Sequence, residues 1–236
     1  MKIVVDAMGG DYAPKVVIEG VMEALKESDV KIALVGVEDQ IRKELDPYTY
    51  DSDRIEVIHT PDVVGMDDPA TVTIRKKRNS SISVGVNLLK GEGYSAFISA
   101  GNTGAVVAAS TIYLGMIPGV ERPAIGIVIP TLKSFAFLMD AGANTGPKPA
   151  HLLQWAVMAD VYVREVLGVA DPEIGLLNIG EEETKGTEFI RETHGMMTER
   201  LKNFIGNVEA SDVFRGKCDC IICDGFLGNV VLFPKV

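Results

Sequence analysis

The sequence predicts an α/β protein with a mostly parallel sheet. Short runs rich in β-branched residues alternate along the 236 residues with amphipathic segments of helical length, which is typical of strands joined by helical crossovers. Several runs are apolar almost throughout, as expected for parallel strands covered on both faces. These observations indicate a three-layer α/β/α, Rossmann-like doubly wound fold. Because no repeat or flexible linker divides the chain, we expect a single α/β domain over residues 1–236.

Four strands are predicted in the first half of the chain, each a short β-branched or apolar run. The first run ends in an acid and a Gly-Gly turn, after which Pro14 is placed to open a helix. The predicted strands are residues 2–6, 31–35, 55–59 and 96–99, and the predicted helices are residues 14–27, 38–45, 81–90 and 105–114.

The second half continues the alternation but ends abruptly. Strands are predicted at residues 125–129, 135–140, 175–178 and 219–223, and helices at residues 149–167 and 188–201. Residues 225–229 (GFLGN) are predicted to form a glycine turn after the last strand. A helix should follow that turn, but only a short tail with Pro234 remains. We therefore expect a domain that is incomplete at its C-terminus, as in a truncated gene product.

The charge and hydropathy of the chain exclude several classes of function. The formal net charge is −10, from 23 basic and 33 acidic residues, so we expect no nucleic-acid partner. No apolar run reaches the roughly 18 residues of a membrane span, and the chain enters its first strand without an apolar leader. We expect a soluble, cytoplasmic protein.

The three cysteines, Cys218, Cys220 and Cys223, lie in one short run. A zinc site would need a fourth ligand and a loop, and neither is evident. The run is more typical of a buried strand, in which a free cysteine behaves as a small hydrophobic residue. We expect a structural role, with redox or metal chemistry as the alternative, and no metal site.

Glycine turns at predicted strand ends are the candidate binding loops. Gly9 and Gly10 follow the first strand, and Gly101, Asn102, Thr103 and Gly104 follow the fourth. Small residues let backbone N–H groups approach an anion at the carboxyl edge of a sheet. A helix N-cap supplied by Asn102 or Thr103 is the simpler interpretation of the second turn, and it is compatible with anion binding. Residues 140–144, which include Asn144, form a similar turn.

Lys185 is the most prominent cationic candidate in these loops. It follows three consecutive glutamates in a loop between Gly180 and Gly186, after a predicted buried strand. A lysine beside acids is usually a solvated charge, but from this loop Lys185 could stabilise an oxyanion or a phosphate.

The sequence lacks the usual hydrolase and nucleotide-binding motifs. No nucleophile elbow, Walker A or H-E-x-x-H sequence is present, and His59, His151 and His194 stand in no recognisable motif. The chain therefore suits a reaction that needs little general acid-base catalysis. Attack of an anionic nucleophile on an activated ester or thioester is such a reaction, because positioning and oxyanion stabilisation can suffice.

One basic run stands out against the acidic background. It consists of Arg75, Lys76, Lys77 and Arg78. A solvated helix face is one interpretation, and the other is a docking patch for an acidic partner, which a local positive field attracts despite the net negative charge.

Seven segments of the chain together resemble the bacterial phosphate acyltransferases, the PlsX family of phospholipid synthesis. The resemblance runs from Met1 to about Leu232, in the order and at the spacing of the family. The matching segments are residues 6–14 (DAMGGDYAP), the basic run before Ser80, and residues 99–104 (SAGNTG), 118–124 (PGVERPA), 140–144 (DAGAN), 175–182 (GLLNIGEE) and 223–230 (CDGFLGNV).

The resemblance implies a fold related to phosphotransacetylases and isocitrate dehydrogenases, and transfer of a fatty acyl group from acyl-carrier protein to inorganic phosphate. It also implies a homodimer with peripheral membrane association and no cofactor. On this basis we expect Lys185, Asn102 and Asn229 to be catalytic. We expect the carrier protein to dock on Arg75, Lys76, Lys77 and Arg78. Phosphate would be held by Gly9, Gly10, Gly101, Thr103, Gly104 and Asn144.

Two other functions stay open at this stage. A dehydrogenase of the isocitrate or isopropylmalate type would need a cluster of metal-binding aspartates and a nucleotide site, neither of which we can assemble from the sequence. A non-catalytic product would retain only phosphate or carrier-protein binding.

Overall fold

The computed structural model describes residues 1–232 and confirms the α/β prediction. The chain forms two compact units, Met1–Ile117 and the part that begins at Pro118. Each unit has its own mostly parallel sheet and its own helices, so the predicted sheet is divided into two. The single domain expected over residues 1–236 stays a prediction.

The first unit contains a four-stranded parallel sheet with the strand order β3-β2-β1-β4. In this register Val4 lies opposite Ala33 on one side and Phe97 on the other. The strands are β1 (Lys2–Asp6), β2 (Lys31–Gly36), β3 (Ile55–His59) and β4 (Ala96–Ile98), and the helices are α1 (Lys15–Glu27), α2 (Glu38–Leu45), α3 (Ala70–Lys76), α4 (Ser81–Leu88) and α5 (Thr103–Ala109), the last continued by a π-helical turn (Ser110–Leu114).

Two hydrophobic clusters form the core of this unit. In one, Ile18 of α1 and Ile41 of α2 pack with Leu34 of β2, and all three are fully buried. In the other, Ile74 of α3 packs with Ile82 of α4 and with the first turns of α5. The near-continuous burial of β2 explains why its sequence is apolar rather than alternating.

The second unit contains a five-stranded sheet with the order β5-β6-β9-β7-β8, in which β5 alone runs antiparallel to its neighbour. One face packs on Trp155 of α6 and Met197 of α7, and the other on Val213 and Leu227. The strands are β5 (Gly126–Pro130), β6 (Phe135–Met139), β7 (Ile174–Asn178), β8 (Phe204–Glu209) and β9 (Cys220–Ile222), and the helices are α6 (Pro149–Glu165), α7 (Glu188–Arg200), α8 (Ala210–Val213) and α9 (Gly225–Leu232).

The structure adds elements that the sequence pattern did not predict, namely α3, α8, α9 and β8. Strand β8 escaped prediction because Gly206 and Asn207 interrupt its apolar run, and Gly206 has a positive φ of 99°. The predicted turn at residues 225–229 was wrong, since these residues begin α9. Asp224 caps that helix, because its Oδ1 accepts the N–H groups of Phe226 and Leu227 at 2.8 and 3.0 Å. The tail at residues 233–236 lies outside the described residues.

Candidate functional site

In the first unit, the two predicted glycine turns lie side by side. They follow β1 and β4, which are hydrogen-bonded neighbours, so both turns emerge at the same edge of the sheet. Buried Asp6 links them: its Oδ2 accepts the hydroxyl of Ser99 at 2.7 Å, and its Oδ1 accepts the N–H of Met8 at 3.1 Å. The Ser99 hydroxyl in turn accepts the N–H of Gly101 at 3.0 Å.

Gly9 and Gly10 are required by this close approach. A Cβ at Gly9 would lie 2.6 Å from Oδ2 of Asp6 and 2.7 Å from the backbone nitrogen of Gly101. Gly10 has a positive φ of 101°, which favours glycine. The two turns therefore form one small-residue surface, hereafter the glycine edge (Gly9, Gly10 and Gly101).

Asn102 is the N-cap of α5 and also holds a neighbouring loop. Its Oδ1 accepts the N–H of Ala105 at 3.0 Å. Its Nδ2 donates to the carbonyls of Met66 and Asp68 at 2.8 and 3.1 Å, and to that of Gly65 at 3.3 Å. The side chain is thus occupied in positioning, and the direct catalytic contact expected of it stays a prediction. Thr103 and Gly104 are exposed in the first turn of α5, where backbone N–H groups have no intrahelical partner.

The basic run divides into one cation that is bound to a neighbouring loop and three exposed cations. Nζ of Lys77 donates to Oδ2 of Asp68 at 2.9 Å and to the carbonyl of Val63 at 2.7 Å. The hydrogen bond from Lys77 holds the pKa of the Asp68 carboxyl below its usual value. Arg75, Lys76 and Arg78 are exposed, and they pair with no carboxylate of residues 1–232. The docking expected of the run stays a prediction. Only these three of its cations are exposed, whereas Lys77 holds the neighbouring loop.

In the second unit, the fully buried carboxylate of Asp140 organises the loop that follows β6. Oδ1 accepts the N–H groups of Ile125 and Ala143 at 3.0 and 3.1 Å. Oδ2 accepts the backbone and side-chain N–H groups of Asn144 at 2.7 and 2.9 Å. Nδ2 of Asn144 also donates to the carbonyl of Pro123 at 2.8 Å. Asn144 therefore positions the loop, and its expected contact with phosphate stays a prediction.

Helix α9 packs tightly against that loop. A Cβ at Gly228 would overlap the carbonyl oxygen of Asp140. The N–H of Gly225 donates to the carbonyl of Asn144 at 2.7 Å. Asn229, which follows Gly228, is exposed, and its side chain lies against Gly142. The structure thus places the expected residues Asn144 and Asn229 at the same loop.

Lys185 lies in the loop after β7, as predicted. Its side chain is half-exposed, and its Nζ lies 3.9 Å from Oε1 of Glu182. The amide of Asn178 fixes the loop: Nδ2 donates to the carbonyl of Lys185 at 3.2 Å, and Oδ1 accepts the N–H of Ile179 at 2.8 Å. The ammonium group is therefore carried on a tethered loop and paired only loosely, so it remains available to an anion.

The segment at residues 118–124 forms a fixed loop that carries Arg122, a residue that was not among the expected site residues. The side chain of Gln154 accepts the N–H of Glu121 at 3.0 Å, and Nε1 of Trp155 donates to the carbonyl of Arg122 at 3.1 Å. Nδ1 of buried His151 accepts the N–H of Lys148, so the neutral ring donates from Nε2 to Glu121, 3.1 Å away. This occupies the carboxylate of Glu121.

The guanidinium of Arg122 is consequently free for another partner. It is exposed, and its Nη1 donates a long hydrogen bond of 3.5 Å to the carbonyl of Gly146. No carboxylate in the described part of the chain pairs with it. The signal that could have identified it is its place in residues 118–124, one of the seven family-like segments. The structure thus adds a second cationic candidate, besides Lys185, to the second unit.

The second unit also contains an apolar groove of about 830 Å³ at the carboxyl ends of β7 and β8. We refer to it as the β7–β8 groove. It is lined by side chains of β7, α7, α8 and α9 and by the loop that ends at Gly186. The lining residues are Leu177, Asn178, Ile179, Gly186, Thr187, Ile190, Glu209, Ala210, Ser211, Leu227, Val230 and Val231.

The three cysteines are buried in and around β9, as the structural interpretation predicts. Burial raises the pKa of the Cys218 and Cys220 thiols to about 12 and raises that of Cys223 further. No group of three or more His, Cys, Asp or Glu side chains within residues 1–232 is arranged to hold a metal ion.

We expect these thiols to be inert in the folded protein. At pH 8, Ellman's reagent should modify all three within minutes in guanidinium chloride and far more slowly in native buffer, because a neutral, buried thiol is a poor nucleophile. The unfolded chain ionises first, above a pKa of about 8.5, so stability should fall as the pH rises beyond that value. Rapid native modification would contradict the burial.

A family model described as "Fatty acid synthesis protein" matches residues 1–235. The phosphate acyltransferase of Halothermothrix orenii is 44% identical over 235 residues, which cover 98% of this chain and 70% of that protein. That of Desulforamulus reducens is 48% identical over 232 residues, covering 98% of this chain and 69% of its own length.

Solved structures of low sequence identity share the fold. A phosphotransacetylase from Streptococcus pyogenes has a TM-score of 0.68 at 16% identity and covers 98% of this chain and 79% of its own. The EutD phosphotransacetylase from Staphylococcus aureus has a TM-score of 0.63 at 16% identity, with coverage of 97% and 79%. These matches confirm the phosphotransacetylase-like fold predicted from the sequence.

Within residues 1–232, no helix combines the length and the apolar character needed to cross a membrane. The family model extends over nearly the whole chain, and the relatives exceed 40% identity across 98% of it. These findings confirm the resemblance that the seven sequence segments indicated. This chain therefore belongs to the family of phosphate acyltransferases.

Proposed function

We propose that this chain transfers a fatty acyl group from acyl-carrier protein to inorganic phosphate. Family membership supports acyl transfer to phosphate, and the observation that carries the proposal is the glycine edge fixed by Asp6 and Ser99. Small residues and backbone N–H groups at the carboxyl edge of a parallel sheet are suited to an anion such as phosphate.

The reaction that we propose needs little proton transfer. A phosphate oxygen attacks the thioester carbonyl, a C–O bond forms, and the tetrahedral intermediate carries a negative charge on the former carbonyl oxygen. Collapse breaks the C–S bond, and the carrier leaves as a thiolate that is protonated from water. The enzyme mainly has to hold the reactants and stabilise the oxyanion.

In the first unit we assign phosphate binding to Gly9, Gly10, Gly101, Thr103 and Gly104. The donors are the backbone N–H groups of Gly10, Thr103 and Gly104, whereas Gly9 and Gly101, whose N–H groups are bonded to Asp6 and Ser99, allow the close approach of the anion. The exposed start of α5 supports this assignment, since the positive end of a helix favours an anion. Asn102 acts by holding α5 to the loop at residues 65–68.

In the second unit we assign oxyanion stabilisation to Lys185. Its tethered loop and loose pairing with Glu182 support that role. Arg122 is the second cation that we assign to an anionic group of the reactants, because its guanidinium is exposed and unpaired among the described residues. Asn144 keeps the Asp140 loop in place, and Asn229 adds a polar contact at the same loop.

The partner that we propose for the exposed cations of the basic run is the acidic acyl-carrier protein. Changing Arg75, Lys76 and Arg78 together to Glu should raise the KM for carrier-bound acyl groups about tenfold and remove most of its salt dependence. The reason is that a rim charge acts mainly on encounter and is screened by ions. Steady-state kinetics at 50 and 300 mM salt provide the measurement.

A matched control reverses three exposed lysines elsewhere, Lys31, Lys43 and Lys133. This variant carries the same change in net charge, and its KM should stay near that of the parent. The KM for an acyl-pantetheine donor, which has no protein surface, should be unchanged in both variants. Equal effects of the two triple variants on carrier-bound donors would show that only the net charge matters.

The direct test of the proposed function is phosphate-dependent formation of acyl phosphate by the purified 236-residue chain. Acyl phosphate, trapped as the hydroxamate, should accumulate together with free carrier thiol in a 1:1 ratio. Carrier binding without turnover would favour the non-catalytic alternative. Thermal stabilisation by NAD and magnesium would instead favour the dehydrogenase alternative.

This proposal also includes the homodimer, the cytoplasmic location and the peripheral membrane association that the resemblance implies. Sedimentation velocity tests the homodimer, and vesicle flotation tests the membrane association.

A further inference from the structure

We infer that the β7–β8 groove binds the acyl chain of the donor, an inference that rests on the proposed function. Its volume of about 830 Å³ falls in the range of small-molecule sites. Its apolar wall is formed by Leu177, Ile190, Leu227, Val230 and Val231.

Three of the four polar side chains along the groove, all but the exposed Ser211, are already hydrogen-bonded to backbone groups. Both polar atoms of Asn178 are occupied by its own loop, and the hydroxyl of Thr187 accepts the N–H of Ile190 at 3.3 Å. The carboxylate of Glu209 accepts the N–H of Asp212 as part of a capping box. A polar ligand would therefore lose water and gain few partners, whereas an alkyl chain gains by leaving water.

The groove is continuous with the loop that carries Lys185. Gly186 and Thr187 line the groove directly after that lysine, and Asn178 both lines it and binds the carbonyl of Lys185. A thioester carbonyl that faces the ammonium group of Lys185 would thus have its alkyl chain directed along this wall. This continuity favours the acyl chain over a second copy of the protein as the occupant, since a concave cavity is less suited to a flat protein interface.

Monoalkyl phosphates with chains of 8, 10 and 12 carbons, kept below their micelle concentrations, are suitable probes for calorimetry. We expect the dissociation constant to fall about fourfold per added methylene until the groove is filled. Decanol, which has no phosphate, should bind with the same gain over octanol. Inorganic phosphate, which has no alkyl chain, measures the affinity of the anion site alone. Because all of these are binding measurements, the result does not depend on whether the chain turns over.

Ala210→Trp places a large side chain in the groove from its exposed rim. This substitution should weaken the binding of dodecyl phosphate at least tenfold and leave the binding of inorganic phosphate unchanged. Ala170→Trp is the matched control, because Ala170 is also exposed but precedes β7 at the opposite edge of the sheet. If Ala210→Trp fails to fold, Val230→Asn provides the same comparison, since Val230 is 55% exposed on the rim.

Two results would overturn the inference. One is an affinity that does not depend on chain length, or that Ala210→Trp leaves intact. The other is a dimer of the parent chain that Ala210→Trp dissociates while chain length has no effect, which would identify a second copy as the occupant. If chain-length dependence is found but no acyl phosphate forms, the groove stands as an alkyl site and the proposed function fails separately.

Discussion

Replacing Lys185 by Ala should lower kcat by about 10²–10³-fold, the usual cost of losing one donor that stabilises an oxyanion. The fold should be unaffected, since the side chain is half-exposed and its nearest carboxylate oxygen, on Glu182, is 3.9 Å away. The KM for phosphate should change much less than kcat if Lys185 acts on the transition state rather than on bound phosphate. Initial-rate kinetics, with circular dichroism as the check on folding, provide the measurement.

Two further variants make the test of Lys185 specific. Lys185→Arg retains the charge and should recover part of the lost rate. Lys202→Ala removes an exposed lysine outside the loop and should leave kcat unchanged. A Lys185→Ala enzyme with near-parental kcat would remove this residue from the mechanism and leave Arg122 as the remaining cationic candidate in the second unit.

Gly228→Ala should destabilise the protein by about 3 kcal/mol, the upper part of the usual range for overpacking. The added methyl group would overlap the carbonyl oxygen of Asp140, a backbone atom of the buried loop that Asp140 organises. Helix α9 would have to move away, although alanine is the better helix former. Denaturant unfolding, followed by circular dichroism, measures the loss.

Gly195→Ala is the matched control. Gly195 also lies inside a helix, α7, but a Cβ there meets nothing within 4 Å. The same substitution should stabilise the protein by about 0.4–1 kcal/mol, because it reduces the conformational freedom of the unfolded chain. If the two variants changed stability by the same amount, the close packing of α9 on the Asp140 loop would be contradicted.

The sequence by itself determined the fold class and most of the element positions. Strands β1 and β3 and helix α2 have the predicted bounds. This succeeded because apolar periodicity and turn residues are local signals. The glycine turns at residues 9–10 and 101–104 were also predicted at strand ends, because small residues between a strand and a helix indicate a tight turn.

The tertiary structure alone decided which side chains are free and which are occupied. Asn102 and Lys77 look available in the sequence, but the structure binds both to the loop that contains Asp68. Arg122 is the opposite case: the sequence did not indicate a site role for it, but the structure leaves its guanidinium exposed on a fixed loop. The contacts that fix this loop come from residues about 30 positions away along the chain. Strand order, the antiparallel β5 and the β7–β8 groove depend in the same way on long-range contacts, which no local pattern encodes.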